Sequence, residues 1–168
     1  MAIARQARSL IFAPQKLRWY QSHEPELYRV ELVPWQLFVH LSSPDPDRPA
    51  GLLWSQLHRL LRSVAKKVKI HYRDDLLHCF RIERGPTGGG LHLHGVVAGL
   101  GPSANLPRLA REMAQEWRAF AGGSARVRRY RYVQTGVAYC LKRSRQRDQR
   151  NSDDFIPRLS PALLSYIQ

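Results

Sequence analysis

The chain has 168 residues, enough for one ordinary domain and too few for two sizeable cores. Its 27 lysines and arginines against 13 acids leave a formal charge of +14, while 43 % hydrophobic content excludes a disordered polycation. No run of about 18 apolar residues occurs and there are two cysteines, Cys79 and Cys140, so a membrane-spanning protein and a disulfide-framed secreted mini-protein are excluded too. A folded domain must hold such a charge excess on its surface, where it favours a polyanion: nucleic acid first, an anionic membrane second. The apolar stretch Leu10-Ile11-Phe12-Ala13 is too short for a secretory signal, and the cysteine usage fits a reducing compartment.

Residues 1–34 read as an arm of uncertain structure, interrupted by Pro14, Pro25 and Pro34. Trp35, Leu37, Val39 and Leu41 then alternate with Gln36, Phe38, His40 and Ser42, a strand with one apolar face. The proline-broken segment 43–49 must be a loop. Leu53, Leu57, Leu60, Leu61, Val64 and Val68 recur at helical spacing and predict an amphipathic helix over 52–67. A second strand is expected over 77–84, with Phe80 and Ile82 on one face and Cys79, Arg81 and Glu83 on the other. After the glycine-rich turn 85–90, a third strand over 91–98 sets Leu91, Leu93 and Val97 against His92, His94 and Val96. Leu106, Leu109, Met113, Trp117 and Phe120 predict a helix over 105–120, ended by Gly122-Gly123. Arg126 to Val133 reads as a fourth strand, Thr135 as the cap of a short helix over 136–143, and Arg143 to Arg150 as a basic loop. In the C-terminal segment 151–168, Ser160-Pro161 suits the start of a short helix that packs on the domain.

The order strand–helix–strand–strand–helix–strand predicts an α+β domain over 35–150: an antiparallel sheet of four or five strands in a split βαβ, ferredoxin-like or RRM-like arrangement. Helices would cover mainly the Leu/Ile/Val face, leaving Glu83, His92 and His94 on the other. Trp19, Trp35, Trp54 and Trp117 are expected in the core. His92-Leu93-His94 puts two imidazoles on one side of a strand. If the loop closes a regular hairpin, Glu83 faces His92, about 5 Å away at Cβ. Two imidazoles and a carboxylate suit a catalytic divalent metal. Two surface histidines, and Glu83 paired with Arg81 or Arg84, form the plainer alternative. His40 shares the face, and a packed strand histidine is its simpler reading. A zinc site using a cysteine fits poorly, since Cys79 lies too far along its strand and Cys140 on the apolar side of its helix.

On a helical wheel Val137, Cys140 and Leu141 share one side, while Tyr139, Lys142 and Arg143 share the other. A tyrosine at the centre of a cationic face, with Lys142 one helical turn on, is placed as a nucleophile beside a phosphate-binding ammonium. Stacking on a nucleic-acid base is the alternative. Between Trp117 and Arg150 there are ten basic residues and one acid, Asp148. Arg126, Arg128, Arg129 and Arg131 precede the tyrosine and Arg143 and Arg145 follow it, together predicting a groove for a phosphate backbone.

Glu83…His92-Leu93-His94-Gly95 resembles the His-hydrophobic-His motif of the HUH endonucleases, and Tyr139-Cys140-Leu141-Lys142 resembles their Tyr-x-x-Lys motif. Phe38-Val39-His40-Leu41-Ser42 is similar to their first motif without its usual threonines. The three occur in the family's order over about 35–142, and a single tyrosine followed by lysine is most similar to rolling-circle replication initiators of plasmids and single-stranded DNA viruses. The resemblance implies a metal ion, Mn²⁺ or Mg²⁺, on Glu83, His92 and His94, with Tyr139 as nucleophile and Lys142 on the phosphate. It further implies single-stranded or stem-loop origin DNA as substrate and a 5′-phosphotyrosine intermediate. A host or separately encoded helicase would supply unwinding, because the chain has no G-x-x-x-x-G-K-[ST] phosphate loop. The setting would be the cytoplasm of a bacterial or archaeal host, or the nucleus for a eukaryotic virus. A single-tyrosine transposase of the same chemistry and a non-catalytic RRM-like binding module are the rival expectations.

Overall fold

The computed structural model describes residues 29–85, 90–131, Val137, Cys140 and 157–168. Strand β1 (Leu37–Ser42) leads through the loop to helix α1 (Ala50–Val68), then β2 (Leu77–Arg84) and β3 (Leu91–Ala98). Helix α2 (Leu106–Ala121) and strand β4 (Ala125–Arg129) follow, and a two-residue strand β5 (Arg158–Leu159) precedes helix α3 (Pro161–Ile167). The strands form one antiparallel sheet in the order β4-β1-β3-β2-β5, so the split βαβ arrangement holds with a fifth strand on the β2 edge. Among the described residues, no helix is long and apolar enough to cross a membrane.

The alternating leucines and valines of β1 and β3 meet Phe80 and Ile82 of β2 on one face, and the leucine stripe of α1 with Met113 and Trp117 of α2 closes over them. Asn105 caps α2 through Arg108 N, and Trp117 Nε1 donates to Ser42 O at 3.0 Å, tying the helix to the end of β1. Gly123 is needed where α2 turns into β4, because a Cβ there would lie 1.7 Å from Ser42 O. Gly95, next to His94, leaves room for the Phe80 ring, which a Cβ would approach to 2.1 Å. Gly95→Ala should therefore cost about 1–3 kcal/mol by overpacking. A thermal melt checks it, and an unchanged midpoint would contradict the packing.

The opposite face, which carries Glu83, His92 and His94, is only half open. Val30, Val33, Trp35, Tyr130, Val137, Cys140, Ala162 and Leu163 build a second core over Leu77, Cys79, Val96 and Ala98. Trp35 belongs to this second core rather than to the apolar face of β1, whose ladder begins at Leu37; its Nε1 donates to Val30 O. The arm before residue 35 and the C-terminal segment thus contribute to the domain. Ser160 anchors the latter: its Oγ accepts from His78 N and from Leu163 N, both at 3.1 Å, while its own N–H donates to His78 O. The β4 ladder ends at Arg129, short of the expected Val133, and Tyr130 turns into the second core.

His78 itself is buried against Phe80, Tyr72 and His58, and the Tyr72 hydroxyl and His58 Nδ1 lie 2.6 Å apart. Burial, with the neighbouring His58, pushes the His78 imidazole down to about 4. The unfolded chain gains a proton here near 6.5, while the folded chain resists it until about 4. Stability is therefore fully present above 6.5 and falls by roughly 3 kcal/mol as pH drops to about 4. His58, lowered by its own burial and by Arg62 and Arg158, acts in the same direction. Melting temperatures at pH 7.5 and 4.5 should diverge less in His78→Phe than in the parent; equal divergence would remove His78 as the cause.

Candidate functional site

Residues opposed across the ladders form rows that cross the sheet. Phe38, Val96 and Cys79, with Leu159 beyond, make an apolar row under the second core. The next row is polar: Arg126, His40, His94 and Arg81, contributed by β4, β1, β3 and β2. Beyond it lie Ser42, His92 and Glu83. The face changes from greasy to ionisable within one strand repeat, and the candidate site begins where the second core stops.

The hairpin register expected for β2 and β3 is the one observed, with Glu83 opposite His92 and Arg84 opposite Leu91. Glu83 Oε2 stands 3.9 Å from His92 Nε2 and 3.8 Å from His94 Nε2. Its other oxygen, Oε1, stands 3.5 Å from Arg81 Nε. The two readings of Glu83, ion partner of Arg81 and neighbour of the histidines, are thus both satisfied by one carboxylate. Arg81 is 2 % exposed, and its Nη1 has no hydrogen-bond partner among the described residues. A guanidinium buried so deeply restrains the carboxylate beside it. In the sequence Arg81 reads only as a pairing partner of Glu83; its in-phase position two residues earlier on the strand is the signal that joins it to the site.

His40 is more than a packed strand histidine. Its ring lies parallel to that of His94, 7° apart in plane and 4.4 Å between centroids, and edge-on to His92 at 5.5 Å. His92 and His94 meet edge-on at 4.7 Å. Burial, helped by positive charge on His92 and Arg126 and opposed by Glu83, holds His40 below the usual histidine value. The shift favours the neutral imidazole, the form that has a lone pair to offer. Among the described residues, His40, His92 and His94 form a group able to hold a metal, with donor atoms all within 4.8 Å of one another. Imidazole nitrogens with a carboxylate at hand are a donor set that fits a divalent ion.

Of the expected DNA-binding arginines, Arg126 and Arg128 project from the same face as His40, with Arg128 over the Phe38 ring at 5.2 Å. Arg129 pairs with Leu37 and so stands on the helix-covered side of the edge strand, and Arg131 follows the strand as an exposed residue. Tyr139, Lys142, Arg143 and Arg145 lie outside the described residues. Val137 and Cys140, the apolar side of the expected tyrosine helix, are helical and buried. A hydrogen bond with Cys79, together with burial, holds the Cys140 thiol in its protonated form. Neither cysteine faces the histidines in a way that would make a cysteine–zinc site. No family model matches the chain, and no curated protein or solved structure matches it.

Proposed function

We propose that this protein nicks and rejoins single-stranded DNA at a specific site through a covalent 5′-phosphotyrosine on Tyr139, in the manner of the HUH initiators of rolling-circle replication. The observation that supports it most is the convergence of Glu83, His92 and His94 on the open half of the sheet, with Arg126 and Arg128 on the adjoining strand. Lewis-acid charge on a phosphate oxygen is what a divalent ion supplies when bound to such residues.

The remaining roles belong to the chain. Arg126 and Arg128 hold backbone phosphates along the β4 side of the face, and the basic sequence after Lys142 adds positive charge for the same partner. Arg81, two residues earlier on the same face of β2, restrains one oxygen of Glu83 and leaves the other toward the histidines. Tyr139 Oη loses its proton and forms a bond to phosphorus as the P–O3′ bond breaks; the departing oxygen takes up a proton and becomes a 3′-hydroxyl. Lys142 offsets the phosphate charge. Rejoining is the reverse attack by a 3′-hydroxyl, and the phosphotyrosine bond conserves the energy of the phosphodiester. No nucleotide cofactor is required.

Opening duplex DNA costs about 1.4 kcal/mol per stacked base-pair step, and a flat sheet face has no means of meeting that cost. The chain should therefore cut single-stranded or extruded stem-loop DNA without ATP and leave relaxed linear duplex intact. Incubation with Mn²⁺ and the same labelled sequence as single strand, supercoiled plasmid and relaxed duplex checks this through the covalent protein–DNA band. Efficient cutting of the relaxed duplex, or binding of single strands without any adduct, would overturn the reading; the second result would favour an RRM-like binding module.

A further inference from the structure

The resemblance implies a ligand trio of Glu83, His92 and His94, drawn from one hairpin. The fold brings a third imidazole to the same place from a different strand. We infer that His40, His92 and His94 are together the nitrogen ligands of one metal site, with Glu83 Oε2 as its oxygen donor, and that the site selects a late first-row ion such as Zn²⁺, Co²⁺ or Ni²⁺ over Mg²⁺. The inference deepens the proposed function, resting on its reading of this face as a metal site, and changes both the ligand set and the class of ion.

Placement comes from the ladder. His40 stands directly opposite His94 across β1 and β3, and directly opposed Cβ atoms are about 5 Å apart. Ring nitrogens on such a pair reach a common point, and the three donor atoms already lie within 4.8 Å of one another. An ion with nitrogen ligands at about 2.0–2.1 Å holds them roughly 3.3 Å apart when tetrahedral. The remaining closure is the scale of a ring rotation about χ2, a soft torsion for histidine. Rotation is also required: rings 7° from parallel and 4.4 Å apart cannot both contain one ion in their planes.

Packing gives no competing reason for three imidazoles here. The adjoining row of the same strands carries Phe38, Val96 and Cys79, the residues a buried sheet face ordinarily uses. The next row carries His40 and His94 between the guanidiniums of Arg81 and Arg126, and His92 follows in the row beyond, beside Ser42 and Glu83. The three rings bring imidazole nitrogens, each with a lone pair to donate, within 4.8 Å of one another. Imidazole donors favour the later first-row ions, whereas Mg²⁺ demands oxygen ligands and gives up its water reluctantly. Glu83 supplies a single carboxylate, with its second oxygen directed to Arg81. One carboxylate beside three imidazoles is a nitrogen-dominated donor set, which favours the later first-row ions over Mg²⁺.

The test uses the full chain freed of metal by chelation. Zn²⁺ and Mg²⁺ titrations by calorimetry, and Co²⁺ titration by visible absorption, are run on the parent, His40→Ala and His40→Gln, with thermal melts to establish folding. Both variants should lose tenfold or more in Zn²⁺ affinity and show an altered Co²⁺ band, while excess Mg²⁺ fails to displace Zn²⁺ from the parent. Unchanged affinity and spectrum in folded variants, or displacement by Mg²⁺, would overturn the inference. Should the variants not fold, imidazole nitrogen NMR of the parent decides: Zn²⁺ must shift three rings, and shifts at His92 and His94 alone sink it. A Tyr139–DNA adduct that forms without any involvement of His40 removes this inference and leaves the nicking reading; a tight three-histidine site with no adduct does the reverse.

Discussion

Tyr139→Phe is expected to lower covalent adduct formation and nicking by about 10⁴-fold or more, while DNA binding stays within a few-fold of the parent. On the proposed mechanism, deleting one oxygen would remove the atom that attacks phosphorus and leave Arg126 and Arg128 untouched. Fold stability should hold as well, because the apolar side of the segment is carried by Val137 and Cys140, both fully buried. A gel-shift and a cleavage assay on the same stem-loop substrate separate the two effects. Undiminished cleavage would pass the nucleophile's role to Tyr132 rather than Tyr130, since Tyr130 is 5 % exposed within the second core.

His92→Ala and His94→Ala form the second large expectation. Each should weaken metal-dependent cleavage at limiting Mn²⁺ by roughly 100-fold or more, because removing a ligand costs at least as much as disturbing the groups that orient it. Both side chains lie off the helix-covered face and are part-exposed, at 17 % for His92 and 13 % for His94. Their loss should shift stability by about 1 kcal/mol or less. Cleavage as a function of Mn²⁺ concentration, alongside a thermal melt, checks both halves. Normal cleavage by either variant at limiting Mn²⁺ would detach the metal from the histidine pair.

Much of the fold was legible because its signals are local. The period-two leucines of β1 and β3 and the 3.6-period stripes of α1 and α2 are written within single elements. The hairpin register was legible too, since a short loop between two alternating strands leaves one pairing that keeps every leucine on the core side. Arg84 opposite Leu91 and Glu83 opposite His92 follow from that constraint. The Ser160 cap of α3 rests on a local Ser-Pro signal and is observed as expected.

His40 and the second core were not legible, and for the same reason. The partner of β1 is β3, some fifty residues away by a route through α1 and β2, and its register is settled by packing against the helices rather than by any loop. His40 therefore reads as one polar residue in an alternating strand until β3 is laid beside it. The burial of Val30, Val33 and Trp35 against Cys79 and Val96 likewise needs segments far apart in sequence.

By itself, the sequence determined helices α1 to α3, strands β1 to β4, the split βαβ order and the pairing of Glu83 with His92. Each of these is set by the period of side chains along one element or across one short turn. Tertiary structure alone decided that half of the open face is covered, that Arg81 lies buried beside Glu83, and that His40 joins His92 and His94. These depend on which distant strands lie side by side, where the free energy comes from closing two cores at once, and no local pattern encodes that choice.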